Sequence, residues 1–300
     1  MSTTTLGAGA RSRAMSDAHT AALEKLFRRI GQLSSLPGVA QRIIEVADNE
    51  DSTAEDLLKV VEQDPTLAVR IMRTVNSSFF GLPQEVGDLQ TAVSMLGFVE
   101  VRNLALTVCV ARLCEESSSY GSFSREGLWK HMVAVGEIAR MVSKECGCGK
   151  PEEAYMAGLL HDIGLVLIDQ YMHPQLCIVI DMINEGSSLS EAEQSVLTFD
   201  HTDLGAYVAR TSNFPERIVA AVEFHHAPEL FEGNDSQLLE IVQIANHLAS
   251  VNGVTSLGMD TSPAIPDAVR RSVGFGEEQQ EAIAERVAET LEGANVLSGI

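Results

Sequence analysis

The chain has 300 residues, of which 45% are hydrophobic and 21% charged, so it can build a substantial core and is not disordered as a whole. Its formal net charge of −21 argues against a broad nucleic-acid-binding surface and against adsorption to anionic lipid. Five cysteines, an odd number, are no disulfide framework and fit a reducing compartment, so we expect a cytoplasmic protein. We find no apolar run near the roughly 18–20 residues that span a bilayer, so membrane insertion is not expected.

The first part of the chain predicts a flexible tail followed by short helices. Residues 1–16 are rich in Ser, Thr, Gly and Ala and are interpreted as the tail. The rest of the chain has helical rather than alternating periodicity. Ser52 with Glu55 predicts a capping box, and Asp64 followed by Pro65 predicts a second helix start. Residues 115–125, rich in Ser and Gly, are the best internal boundary.

The second part predicts longer helices, among them runs over 128–142, 152–168 and 238–248. Ser190 with Glu193 predicts a further capped start, and Cys146-Gly147-Cys148 is interpreted as a helix-ending turn. The predicted fold class is all-α. We expect an N-terminal helical lobe over 17–118 packed on a second helical lobe over 119–252. A loop and an acidic helix occupy 253–300.

Five of the eight histidines and one aspartate lie in or beside apolar, helix-patterned stretches: His131, His161, Asp162, His201, His225 and His226. A lone buried histidine usually satisfies one hydrogen bond, whereas this set looks like a constellation that converges on a metal or phosphate. Imidazole suits Zn, Fe, Ni and Cu, and a neighbouring carboxylate extends the choice toward Mn and Mg. Asp162 lies between two groups of imidazoles and could bridge two metal ions, the arrangement that activates water for phosphate hydrolysis.

The most specific local signal is the segment from Ala157 to Gly164, which contains His161-Asp162. Neighbouring side chains on a helix diverge by about 100°, so this pair straddles one direction in which a metal could lie. His225-His226 repeats the arrangement. The alternative is that one of these two histidines faces solvent near Pro228.

These residues resemble the metal-site pattern of the HD phosphohydrolase superfamily, and the resemblance is closer to one branch, the HD-related output domain (HDOD). It covers roughly residues 33–250. The motifs that carry it are Leu36-Pro37, Gln63-Asp64-Pro65, the segment from Asn76 to Gly81, Ala92 with Leu96-Gly97, Arg102-Asn103-Leu104, Trp129-Lys130-His131 and Phe214-Pro215.

The resemblance implies an all-α fold with an HD-like metal-site lobe over 119–252 and a role in bacterial signal transduction. Three positions depart from catalytic relatives. The late helix carries Asn246 where hydrolases commonly have an aspartate, and Leu165 stands where cyclic-dinucleotide phosphodiesterases of the HD-GYP branch often have a lysine. No Gly-Tyr-Pro follows His225-His226.

We therefore expect a signalling output or regulatory module without efficient catalysis. The six histidine and aspartate side chains would hold a transition metal, as one ion or as a binuclear centre, with iron favoured over zinc and manganese. Its partner would be a protein of a signalling pathway or a small phosphate-bearing ligand. The alternative is a metal-dependent phosphohydrolase acting on a nucleotide or cyclic nucleotide, in which Asp162 would be catalytic. Enzymatic activity stays an open question at this point.

Overall fold

The computed structural model describes residue 21 and residues 24–30, 38–48, 51–77, 80–115, 118–262 and 264–298. These residues are mostly helical, which confirms the all-α prediction. The helices of the first part are α1 (24–30), α2 (Gly38–Asp48), α3 (Ala54–Glu62), α4 (Pro65–Val75), α5 (Leu89–Leu96) and α6 (Phe98–Ala111). A short 3-10 turn, Arg112–Cys114, follows α6.

The helices of the second part are α7 (Arg125–Cys146), α8 (Pro151–Leu160), α9 (Ile163–Asn184), α10 (Leu189–Val196), α11 (His201–Thr211), α12 (Glu216–Phe224), α13 (Gln237–Val251), α14 (Asp267–Val273) and α15 (Glu277–Ser298). The predicted internal boundary contains the strands β1 (Ser119–Tyr120) and β2 (Phe123–Ser124), which pair antiparallel as a small hairpin. As predicted, α7 ends at the Cys146-Gly147 turn, where Gly147 is left-handed (φ 60°).

The observed helix caps confirm one of the three predicted helix starts and correct the other two. Asp64 accepts a hydrogen bond from the Leu67 amide (3.0 Å) and Pro65 opens α4, as predicted. The box that starts α3 is formed by Thr53 and Asp56, so the prediction of Ser52 with Glu55 was wrong by one residue. The box that starts α10 uses Ser188 and Glu191, so the prediction of Ser190 with Glu193 was also wrong.

The predicted helical run over 152–168 is divided into α8 and α9 by His161 and Asp162. Asp162 has a non-helical backbone (φ −102°, ψ 15°), so the two side chains diverge at a break rather than on a continuous helix. Helix α9 continues past Pro174 with a kink at Met172 (φ −138°, ψ 33°), because proline lacks an amide donor and its ring clashes with the preceding turn.

The segment Pro151–Asn184 is long and apolar enough for a membrane span, so the expectation that no apolar run approaches that length was wrong. However, 56% of its most apolar 18-residue window is buried inside the protein. Core packing therefore accounts for its composition.

Helix α7 lies at the centre of the second part, where it packs against α8, α13 and α15. Glycines allow the closest approaches. A Cβ atom on Gly158 of α8 would lie 2.7 Å from the Val135 carbonyl oxygen of α7, and one on Gly164 of α9 would overlap the His201 carbonyl of α11. The first part docks onto α8 through α6, where the buried hydroxyls of Thr107 and Tyr155 lie 2.7 Å apart.

Candidate metal centre

The structure brings all six predicted side chains together from four places in the chain. His131 lies in the first half of α7, and His161 with Asp162 forms the break between α8 and α9. His201 is the first residue of α11, and His225-His226 directly follows α12. Neither His225 nor His226 points away into solvent, since both rings contact His201.

Asp162 lies in the middle of the cluster, and each of its oxygens faces a different group of imidazoles. Oδ2 is 3.2 Å from His161 Nε2 and 3.6 Å from His131 Nε2. Oδ1 is 3.4 Å from His201 Nε2 and 3.7 Å from His225 Nε2. His226 joins the second group, with its Nε2 3.2 Å from His201 Nε2. The two groups share only Asp162, and within each group the ligand atoms lie within 4.8 Å of one another.

Hydrogen bonds at Nδ1 hold three of the imidazoles in fixed orientations. The Nδ1 atoms of His161, His225 and His131 lie 2.7 Å, 3.0 Å and 2.8 Å from the carbonyl oxygens of Gly158, Val222 and Val254. A carbonyl oxygen only accepts, so each Nδ1 donates its proton and leaves a lone pair on Nε2. This is the usual arrangement of metal-ligating histidines.

The cluster is enclosed. His131, His161 and His225 are fully buried, His201 is 1% exposed and Asp162 is 2% exposed, whereas His226 is half-buried. Among the described residues, the buried Nε2 atom of His225 has no hydrogen-bond partner. A buried polar atom without a partner is costly, and a metal ion in the centre would satisfy it. The donor set therefore fits a metal.

The electrostatics favour three neutral imidazoles beside one carboxylate. Burial lowers the pKa of His131 to about 4 and that of His226 to about 3, and it holds the pKa of His225 well below its usual value. Burial also raises the pKa of Asp162, but His161 and His201 outweigh this effect and hold it well below the usual range. At neutral pH, the imidazoles of His131, His225 and His226 are therefore neutral and keep the lone pairs that a metal needs.

Sequence reasoning missed one residue of this site, Glu193 on α10. Its carboxylate is fully buried, and its two oxygens lie 3.0 Å and 2.9 Å from His201 Nδ1. Burial lowers the pKa of His201, but Glu193 and Asp162 outweigh it and raise that pKa well above its usual value. The available signal was helical spacing, because Glu193 shares the buried face of α10 with Leu189 and Ala192.

The two departures from catalytic relatives also have defined positions. Asn246 lies on α13, is 7% exposed and has its side chain close to His131, so a neutral amide stands at the edge of the centre. Leu165 is fully buried in α9 and belongs to the hydrophobic core.

The fold and the cluster define an all-α protein with a histidine–aspartate centre. Residues 33–228 match the HDOD domain, and the chain belongs to the HDOD family, as the sequence motifs predicted. A curated relative, an uncharacterised protein of Treponema pallidum, is 26% identical over 225 residues, which are 73% of this chain and 42% of the relative. The chain thus spans less than half of that protein.

Three solved structures share the fold. An HDOD domain protein of unknown function from Geobacter sulfurreducens has a TM-score of 0.77 and 20% identity, over 92% of this chain and 99% of that one. A candidate phosphohydrolase from Shewanella amazonensis has a TM-score of 0.72 and 24% identity, over 91% and 97%. A candidate signal transduction protein from Marinobacter aquaeolei has a TM-score of 0.75 and 23% identity, over 92% and 65%. Identities this low support the fold alone.

Proposed function

We propose that this chain is a cytoplasmic regulatory module of bacterial signal transduction, built around a buried transition-metal centre, and that it hydrolyses phosphate esters poorly or not at all. The observation that carries the proposal is the enclosure of the centre, because Asp162 is only 2% exposed and four of the five histidines around it are at most 1% exposed. The module would act on a protein partner of a signalling pathway or respond to a small phosphate-bearing ligand.

The donor set indicates which class of metal ion the centre would bind. Five imidazoles and one shared carboxylate favour a transition metal over Mg²⁺ or Ca²⁺, which prefer oxygen ligands. We propose iron, with zinc and manganese as alternatives. The division of the ligands into two groups that share Asp162 supports a binuclear centre, in which each carboxylate oxygen contacts one ion.

Two features favour weak catalysis: limited access of substrate and water to the metal, and the lack of charged groups at two nearby positions. A hydrolase must admit both a phosphate ester and a water molecule to the metal, and the buried ligands leave His226 as the half-buried member of the set. Asn246 supplies a neutral group beside His131 where a carboxylate would add negative charge. Leu165 has an aliphatic side chain buried in the core, so it offers no charge to a substrate.

The second candidate function is a metal-dependent phosphohydrolase. The observation that favours it is the position of Asp162 between the two groups of ligands, which suits a two-metal site for activating water. In that case a change of conformation would have to open the centre.

A hydrolysis assay separates the two candidates. Metal-loaded wild type, Asp162→Ala and Asp181→Asn are compared on a panel of nucleotides and cyclic nucleotides. Asp181 is the control, because it lies on α9, the helix that Asp162 precedes, but its carboxylate accepts a hydrogen bond from the exposed Tyr120 hydroxyl. We expect wild type to show no turnover above Asp162→Ala. Brisk hydrolysis by wild type and Asp181→Asn, abolished by Asp162→Ala, would overturn the regulatory proposal in favour of the enzyme.

A further inference from the structure

A second cluster of titratable side chains, distinct from the metal ligands, lies along α9. Asp169, His173 and Cys177 are spaced four residues apart, so they follow one another on one face of the helix. Ser118, just before the hairpin, lies against this face and donates to Asp169 Oδ1 at 2.8 Å. The cluster thus combines a thiol, an imidazole and a carboxylate.

Hydrogen bonds link the three α9 side chains in series. His173 Nδ1 lies 2.7 Å from Asp169 Oδ1, and His173 Nε2 lies 3.5 Å from Cys177 Sγ. A carboxylate only accepts, so in the neutral ring Nδ1 carries the proton and Nε2 presents its lone pair to the thiol. A nucleophile beside a base that a third group orients is the arrangement that activates cysteine and serine nucleophiles.

Buried groups hold the base in position. The Asp169 side chain is fully buried, and its Oδ2 accepts from Arg125 Nε at 2.5 Å. Ser118 Oγ, which donates to the same carboxylate, also lies 3.2 Å from His173 Nδ1. The imidazole is therefore held at its Nδ1 edge by two groups, while its Nε2 edge faces Cys177.

The thiol needs a base in order to react. Burial raises the pKa of Cys177, and the carboxylates of Asp181 and Asp169 raise it further, so the sulfur is protonated at neutral pH. The thiolate is the nucleophilic form of cysteine. Transfer of the thiol proton to His173 Nε2 during attack would generate that form only when an electrophile is present.

The reacting atoms can be reached from solvent, and apolar surface lies beside them. The His173 side chain is 38% exposed, and Cys177 is half-buried. Ile178, the next residue in the chain, is 51% exposed, and Tyr120 is 37% exposed. The pKa of Tyr120 is raised mainly by Asp181, to which its hydroxyl donates (2.9 Å), and Cys177 contributes to the increase, which places this ring near the thiol. A small apolar ligand would cover this surface.

We propose that Cys177 is a covalent modification site for small uncharged α,β-unsaturated carbonyl compounds, with His173 as its general base and Asp169 as the residue that positions the base. The neighbouring carboxylates and the net charge of −21 disfavour an anionic electrophile. The site shares no residue with the metal centre, so it stands or falls independently of the proposed function.

The reaction is a balanced addition. Cys177 Sγ forms a bond with the β-carbon of the electrophile while the thiol proton passes to His173 Nε2. The π electron pair of the carbon–carbon double bond moves to the α-carbon, which then takes the proton from His173. The product is a thioether, no group leaves, and neither an oxidant nor a reductant is required.

The test is alkylation of the full chain by N-ethylmaleimide, with the rate at each cysteine followed by peptide mass spectrometry. Cys148, just after α7, is the internal reference. We expect His173→Ala to slow alkylation of Cys177 by about tenfold or more, since a positioned base contributes about 100- to 10,000-fold in enzymes. The rate at Cys148 should stay unchanged. Equal rates at Cys177 in wild type and His173→Ala would overturn the proposal.

His247→Ala is the matched control. Its ring is also half-buried and lies 3.4 Å from a serine hydroxyl, that of Ser262, but it belongs to α13. This variant should alkylate at Cys177 as fast as wild type. Equal slowing by His173→Ala and His247→Ala would overturn the assignment of the base. No alkylation of Cys177 in wild type, under conditions that modify Cys148, would overturn the site itself.

Chemical rescue separates a base from a structural side chain. Added imidazole should restore much of the rate at Cys177 in His173→Ala and leave the wild-type rate nearly unchanged, because the free base can occupy the space of the missing ring. Slow alkylation without rescue would mean that His173 only shapes the surface, and it would overturn its role as the base.

The preference for uncharged electrophiles has its own measurement. Rates at Cys177 with N-ethylmaleimide and with the anionic 3-maleimidopropionate are each divided by the rate of the same reagent with free 2-mercaptoethanol. We expect the larger ratio for the uncharged reagent. An equal or larger ratio for the anionic reagent would contradict the proposed class of electrophile.

Discussion

Asp162 holds the two groups of histidines together, because each of its oxygens faces a different group. Removal of this carboxylate takes a ligand from both groups, whereas removal of the half-buried His226 takes one from the second group only. We therefore expect Asp162→Ala to lose most of its metal and His226→Ala to keep most of it, as measured by elemental analysis of the purified variants. Equal retention in the two variants would show that Asp162 is not the shared ligand.

Glu193 is a positioning residue, because it contacts His201 rather than the centre itself. Glu193→Gln keeps the size of the side chain but removes the charge that orients His201 and increases its basicity. Loss of such a partner typically lowers metal affinity by about 10- to 100-fold. Competition with a chelator measures the change. Glu191→Gln, at an exposed capping residue of the same helix, should leave the affinity unchanged, and a similar loss there would refute the role of Glu193.

For single residues, the sequence predicted which side chains come together but not which neighbouring residues hold them in position. The six candidates could be found because several imidazoles on apolar helices are unusual. Glu193 was mistaken for a capping glutamate, because serine three residues before glutamate occurs at both Ser188-Glu191 and Ser190-Glu193, and the buried spacing of α10 is clear only once its start at Leu189 is known. The role of Asn246 depends on how α13 packs beside His131, which a single sequence does not specify.

The positions of the metal ligands also depend on close contacts between helices. A Cβ atom on Gly164 would overlap the His201 carbonyl, so Gly164→Ala must push α9 from α11. We expect it to destabilise the fold by about 1–3 kcal/mol, the usual cost of overpacking, and to weaken metal binding by moving His201. Urea unfolding checks the first effect, and chelator competition the second.

Gly38→Ala is the matched control for Gly164→Ala. A Cβ atom there would have no neighbour within 4 Å, and alanine favours the helix α2. Its stability should be unchanged or raised by up to about 1 kcal/mol. If Gly164→Ala were as stable as Gly38→Ala, the close contact between α9 and α11 would not be essential.

Asp64 links the start of α4 to the turn after α6 and should make stability depend on pH. Its hydrogen bond to Arg112 is the main cause of a pKa lowered from 3.8 to about 2. A carboxyl group with a lowered pKa stabilises the fold above its ordinary pKa, and this stabilisation is lost as the pH falls from about 4 to about 2.

Asp64→Asn keeps a good helix cap but loses the charge. We expect it to be less stable than wild type by about 1–2 kcal/mol at pH 7, after allowance for solvent screening. The difference should shrink as the pH falls toward 2, as followed by urea unfolding. A difference that stays constant over this range would mean that the charge of Asp64 does not stabilise the fold.

Helical periodicity predicted most elements but not their interruptions. Within the run over 152–168, residues 154–168 are apolar apart from His161 and Asp162, so the break had no signal other than these two residues. Helix α9 passes Pro174 because the surrounding core tolerates the kink at Met172. Caps were misplaced by one or two residues wherever neighbouring serines or threonines offered equivalent patterns.

For the whole molecule, enclosure of the centre links metal binding to stability. A metal that binds only the folded state stabilises it in proportion to the logarithm of its concentration relative to the dissociation constant. The centre draws on α7, the break between α8 and α9, α11 and the end of α12, so the metal would hold together most of the second part of the fold.

Elemental analysis of the wild-type chain tests the central claim most directly, both after native purification and after reconstitution with iron, zinc or manganese. We predict a bound transition metal, with iron favoured and up to about two ions per chain at saturation. Metal-loaded protein should also unfold at a higher temperature than stripped protein. A metal content no greater than a trace in both preparations would contradict the account.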